Sequence, residues 1–405
     1  MNAIRGFLDS ATLDKGTVDR FLDPKEPNWA TFDPEVGYTL RNSIVRDGLD
    51  DSYTIGRYAE GRPPGMRERL LINYADRKCR INTYGNSFTM CHQVSDGETW
   101  QEYLAAHLGE PIRNFGVGGY GVYQAYRRMI RTEKTDLGTP YVILNIWGID
   151  DHLRSIDSWR GLRCLEWLRD PRHATMFHSN PWVHVRIDPE TGALVELENL
   201  CPTPESLYRL CDKEFVYEHF KNDIALQMFL GQRPGVDVNT GPMKKLAETL
   251  GVKADFDSDA NRCRAIAELY RAYGLRASMH IIDKAQAFVE NAGKKLMVLL
   301  SFQDNHVADE CADRPRPDQP FVDFLTERKI LFVDILRKHK DDYAVFKLTP
   351  DEYIRRYFIG HYSPKGNHFF AFAIKDDIVN WLDPKPLTYR AGGSAIRFDN
   401  YLQSP

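Results

Sequence analysis

Three groups of residues in this chain have types and spacing that could do chemistry. The first is Ser87, in the run Arg80-Ile81-Asn82-Thr83-Tyr84-Gly85-Asn86-Ser87-Phe88-Thr89-Met90. The alternation with β-branched residues reads as a short strand that stops at Gly85. Residues 98–108 (ETWQEYLAAHL) then carry apolar side chains at helical spacing. A serine in the turn between such a strand and helix is well placed for nucleophilic attack, because ligands of an open α/β sheet sit beyond the carboxyl ends of its strands. Its hydroxyl is weak until a base takes the proton, so a histidine must reach it. The second group is acidic: Asp150-Asp151-His152 follows the apolar run 141–147, and Asp304-Asn305-His306 follows the run 295–302. No motif with metal-ligand spacing joins these triplets, so no metal is expected. The third group is Gly116-Val117-Gly118-Gly119-Tyr120-Gly121. It lacks the G-x-G-x-x-G register and an acidic partner at the right distance, and the chain has no G-x-x-x-x-G-K-[ST] loop. No cofactor is expected either.

The elements that must position these residues follow from periodicity. After the serine strand come a strand at 111–117, a helix at 123–132 and a nearly all-apolar strand at 141–147 (YVILNIW), as expected of a strand buried on both faces. Regularity returns with one long helix or two over 259–291, strands at 295–302 and 329–335, and a closing helix at 367–382. Strands alternating with helices predict an α/β fold, with roughly five parallel strands between helices. Residues 1–78 read as a β-rich arm on this core, with short strands at 32–41 and 52–58. Residues 79–383 form the main domain, and 384–405, with two prolines near its start, an irregular tail. Within the domain, 153–257 break the alternation as an insertion. A hairpin is expected there at 182–187 and 193–197, across Asp188-Pro189-Glu190-Thr191-Gly192. Trp159, Trp167 and Trp182 of the insertion suit its own small core, and alternatively a lid or a sugar-stacking wall.

Four blocks in order carry a resemblance: Tyr84-Gly85-Asn86-Ser87-Phe88-Thr89; Asn114-Phe115-Gly116-Val117-Gly118-Gly119-Tyr120-Gly121; Gly148-Ile149-Asp150-Asp151; and His361-Tyr362-Ser363-Pro364-Lys365-Gly366-Asn367. The chain resembles the SGNH/GDSL hydrolase superfamily over roughly 79–152 and 260–383, with members whose first block reads GDSFT as the nearest likeness. The resemblance implies a flavodoxin-like three-layer fold, Ser87 as nucleophile, His361 as base, and oxyanion donors from the Ser87 and Gly119 N–H groups. It also implies hydrolysis of an ester, such as an O-acetyl group on a carbohydrate or another polar small molecule. Transfer of the acyl group to another acceptor is a close variant.

Three departures bear on that reading. Asn86 replaces the family's Asp before the serine, and Asp150 stands where the third block has an Asn donor. Phe358 and Ile359 occupy the positions that usually carry the acid orienting the histidine. Asp304, at the carboxyl end of its strand, and Asp150 are the candidates for that acid. An Asp150 that replaced the amide donor would have to be protonated when the oxyanion forms. Two other functions stay open. Asp150, Asp151 and Asp304 could supply a carboxylate pair for glycoside cleavage, or the altered blocks could mark a member that only binds a ligand.

Composition excludes some classes of partner. The formal net charge of −4 and the lack of a basic stripe give no footprint for nucleic acid. No apolar run approaches the ~20 residues that span a bilayer. Seven cysteines without a C-x-x-C pair, and a start too interrupted for a secretory signal, lead us to expect reduced thiols and a cytoplasmic setting.

Overall fold

The computed structural model describes residues 3–26, 28–46, 53–162 and 180–390. Its centre is a five-stranded, all-parallel sheet: β1 (Ile81–Gly85), β2 (Ile112–Asn114), β3 (Tyr141–Trp147), β4 (Lys295–Ser301) and β5 (Phe332–Asp334). The spatial order is β2-β1-β3-β4-β5. Strand order therefore reverses between β1 and β3, and a ligand crevice is expected outside the carboxyl ends at that switch point. Ser87 lies two residues beyond the end of β1, and Gly148 directly follows β3.

The central strands are apolar because both faces are covered. Val142, Ile143, Leu144, Val298 and Leu299 have no exposed surface. Of the two buried polar side chains in β1, Asn82 donates Nδ2 to Glu133 Oε1 (2.7 Å) and to the Leu137 carbonyl (2.8 Å), and Thr83 donates its hydroxyl to the Arg113 carbonyl (3.0 Å). Helices α1 (Ser87–Met90), α2 (Trp100–Leu108), α3 (Val122–Glu133), α4 (Gly148–Arg154), α5 (Asp259–Asn291), α6 (Asp304–Cys311) and α7 (Pro364–Trp381) flank the sheet. Two groups of them pack together: α2 with α7, where Trp100 meets Phe370 at 5.1 Å, and α3, α4 and α5 with one another. The expectation of one long helix or two over 259–291 resolves as a single 33-residue helix.

In the arm, the expected strand over 32–41 is instead a hairpin of Ala30–Asp33 against Gly37–Leu40. Asp33 Oδ1 accepts from the N–H groups of Glu35 (3.0 Å) and Val36 (3.1 Å), which folds the chain back where a continuous strand was expected. The hairpin packs on the glycine-rich second block. Tyr38 donates its hydroxyl to the Gly118 carbonyl (2.6 Å), and Asp33 pairs with Arg131 of α3 (2.9 Å). A second hairpin joins Ser43–Arg46 to Tyr53–Gly56, and helices Ala3–Ala11 and Lys15–Leu22 precede both.

The insertion contains the expected hairpin, as His184–Ile187 against Leu194–Leu197. Trp159 and Trp182 are fully buried. Trp182 Nε1 donates to the Asp157 carbonyl (2.6 Å), and its ring lies 6.3 Å from that of Tyr38. Trp182 thus joins insertion and arm, Trp159 packs on Phe220 within the insertion, and neither has exposed surface to form a sugar-stacking wall. Trp167 lies outside the described residues. Six cysteines are described, and all are free thiols; Cys164 lies outside the described residues. Among the described residues no helix is long and apolar enough to cross a membrane.

Candidate active site

The turn after β1 is built by Asn86. Its side-chain oxygen accepts from the Phe88 N–H (2.8 Å) and so caps α1, while its Nδ2 donates to Asp151 Oδ1 (2.8 Å). An amide accepts through its oxygen while it donates through its nitrogen; an ionised aspartate here would face the Asp151 carboxyl with no hydrogen to give. The Asn86 departure is thereby matched to a buried acid in the third block. Asp151 also accepts from the Trp147 N–H (2.8 Å), and Arg154 lies 3.3 Å away. Burial pushes the Asp151 carboxyl up to about 7, against the pull of Arg154 and these donors.

Ser87 is the first residue of α1, and its Oγ lies 2.8 Å from His361 Nε2. The histidine comes from a narrow loop before α7. Residues Phe358 and Tyr362 pair across it, and Ile359 N–H donates to the His361 carbonyl (2.8 Å). Behind it, the Tyr362 hydroxyl meets His339 Nε2 at 2.7 Å, which pins the loop from within the core.

The partner of the other ring nitrogen is neither Asp304 nor Asp150. His361 Nδ1 lies 2.9 Å from Gln93 Oε1, and that same oxygen accepts from the His361 backbone N–H (2.8 Å). The backbone donor identifies the atom as the amide oxygen. Nδ1 therefore carries the hydrogen, and the Nε2 lone pair faces the Ser87 hydroxyl. Gln93 reaches this place through a strained turn: Cys91 (φ 61°) and Gln93 (φ 69°) both adopt the left-handed region, uncommon for residues with a side chain. Burial, aided by the charges of His92 and Arg154, holds the His361 imidazole well below its ordinary pKa. The ring stays neutral and able to accept a proton.

The second block runs past the same point. A Cβ on Gly118 would lie 3.8 Å from Ser87 Cβ. Gly119 has φ +84°, and a side chain there would run into the Arg160 guanidinium and the Tyr38 hydroxyl. Among the described residues neither the Ser87 nor the Gly119 N–H has an acceptor, so both are free to serve an oxyanion. Gly116 is needed for a different reason. A Cβ there would press on backbone atoms of the serine helix, Thr89 C at 2.6 Å and Met90 Cα at 2.8 Å. Because backbone cannot rotate aside, Gly116→Ala is expected to destabilise the protein by about 1–3 kcal/mol. An unchanged melting temperature would refute this packing account.

Asp150 sits in the third block but does not act as the buried, neutral acid that an amide substitute would have to be. Its side chain is 42% exposed and lies 3.4 Å from Arg154 Nη2; the acid that burial favours in the protonated form is its neighbour Asp151. Asp304 heads α6, partly buried, and its Oδ1 accepts from the Asn305 N–H (2.8 Å). His368 is exposed and packs on Tyr103 at 5.2 Å. The rim also includes residues that sequence reasoning did not single out: His92, 5.0 Å from the His361 ring, and Trp29 of the arm, 5.9 Å from His92. Among the described residues no group of three or more His, Cys, Asp or Glu converges to hold a metal. No protein-family model matches the chain, and no curated protein matches it.

Proposed function

We propose that the protein is a serine hydrolase of acyl esters, with Ser87 as nucleophile and His361 as base and then acid. One observation carries the reading. The Ser87 hydroxyl and His361 Nε2 meet at 2.8 Å beyond the carboxyl end of β1, with the opposite ring nitrogen anchored. Ser87 Oγ bonds to the ester carbonyl carbon as its proton passes to Nε2 and the carbonyl electrons move onto oxygen. The Ser87 and Gly119 N–H groups donate to that oxygen. When the bond to the alcohol breaks, the alcohol leaves with the proton from His361. Water then repeats the sequence on the acyl-enzyme, releasing the acid and restoring Ser87. An O-acetyl or similar ester of a carbohydrate or other polar small molecule remains the substrate class implied by the resemblance of the four blocks.

The glycoside-cleaving alternative has less support, since one of its three carboxylates is already engaged in holding the serine turn. Asp151 is 2% exposed and occupied by Asn86, Trp147 and Arg154. A fluorophosphonate probe tests the proposal directly. The intact protein is expected to label at Ser87, and His361→Ala to label far more slowly. A folded protein that does not label would refute the reading.

A further inference from the structure

Resting on the reading above, one gap in the site remains. The resemblance implies an amide donor at position 150, and Asp150 provides a carboxyl. One helical turn on, the same short helix carries Arg154. Its side chain runs back past Asp150, as residues spaced i,i+4 do, and is 15% exposed. The guanidinium lies against the third block and, through a shared carboxylate oxygen, beside the Asn86 side chain next to Ser87. Nη1 lies 3.3 Å from Asp151 Oδ1, the oxygen that also takes the Asn86 amide; Nη2 lies 3.4 Å from Asp150 Oδ2. Its stem fits against Gly121 of the second block, where an added Cβ would come within 2.7 Å of Arg154 Cβ. The group stands 5.6 Å from the Trp147 ring, which stacks at 5.0 Å on Phe88, and Phe88 lies 4.9 Å from His361. Arginine has five N–H donors. The two long contacts occupy two of them, and among the described residues the other three have no acceptor.

We propose that Arg154 is the charged donor of this site, held by Asp150 and Asp151 and stabilising the oxyanion that forms when Ser87 attacks an ester. Its charge reaches the reacting groups, since it is among the causes that keep His361 unprotonated. A positive donor also explains why a carboxyl is tolerated at position 150: there it anchors the guanidinium.

The test uses 4-nitrophenyl acetate turnover and fluorophosphonate labelling of the full chain. Arg154→Gln is expected to lower kcat by about 10²–10³ with KM changed only a few-fold, the usual cost of one oxyanion donor. Arg154→Lys should retain an intermediate kcat, and guanidinium ion added to Arg154→Ala should restore part of it. A merely structural arginine would give neither the retention by lysine nor the rescue. A kcat within about threefold of the original in folded Arg154→Gln overturns the proposal, and so does a loss confined to KM or a loss that neither lysine nor guanidinium relieves. If the unaltered protein neither labels nor turns over ester, the hydrolase reading fails and takes this assignment with it. Labelling and turnover that are indifferent to Arg154 sink this assignment alone.

Discussion

His361→Ala is expected to lower ester turnover by about 10⁴-fold while leaving the fold intact, because the Ser87 hydroxyl would lose the ring placed to take its proton. The intact protein should also show an unusual pH profile. A histidine near its ordinary pKa of ~6.5 loses its base form as pH falls through that value. His361 is held well below 6.5, so the acid limb of kcat/KM should lie well below the usual histidine limb. Stability changes in the same direction. Burial lowers His152 to about 4 and His339 to about 3, so the unfolded chain binds protons at pH values where the native chain does not. The stability that these neutral rings contribute is complete above ~6.5 and is lost as pH falls toward 3–4. Asp151, raised to about 7, works the opposite way: the native state takes up its proton first, which offsets part of that loss between pH 7 and 4. Rates should therefore be measured beside a circular dichroism signal, so that protonation of His361 is not confused with unfolding. A folded His361→Ala protein within tenfold of the original rate, or an acid limb at 6.5–7, would remove His361 from the role of base.

The parts of the fold legible in the sequence are those where burial leaves no choice of residue. β3 must be apolar at nearly every position because helices cover both its faces, and the run 141–147 matched its observed bounds. β5 shrank from the expected 329–335 to Phe332–Asp334, since only its middle pairs with β4. Ser87 and His361 were legible from the four blocks in order. Gln93 was not. Its role depends on one oxygen brought into place by two left-handed residues, Cys91 and Gln93, and neither residue type signals that conformation. The search for an orienting acid looked for a carboxyl and passed over an amide six residues from the serine. Trp159 and Trp182 of the insertion were legible as core, but not that the core would be shared with the arm, because contact between Tyr38 and Trp182 leaves no periodic trace. Arg154 was missed for a similar reason: its pairing with both third-block carboxylates depends on the pitch of a helix only seven residues long.

Gln93 offers the sharpest test of how this site manages without the usual acid. The amide oxygen binds both His361 N–H groups, so it fixes the tautomer and the ring orientation, but it brings no charge to an imidazolium. Gln93→Leu removes the acceptor and frees the ring to flip or shift its proton. Turnover is expected to fall about 10³–10⁴-fold, the scale seen when a triad histidine is left in the wrong tautomer. Gln93→Glu separates geometry from charge. The carboxylate can accept both hydrogens, and a negative group in contact with the ring favours its protonated form. The acid limb of kcat/KM should then move to higher pH, and turnover above that limb should rise, because the imidazolium formed with the oxyanion is stabilised. Working against this is the desolvation of a new carboxylate in a crowded turn. The comparison is decisive in sign. If the glutamate variant stays folded and its limb does not move upward, the contact at 2.9 Å does not govern His361. If the leucine variant keeps its rate, orientation of the base comes from the His339–Tyr362 contact behind the loop, and Gln93 only fills space.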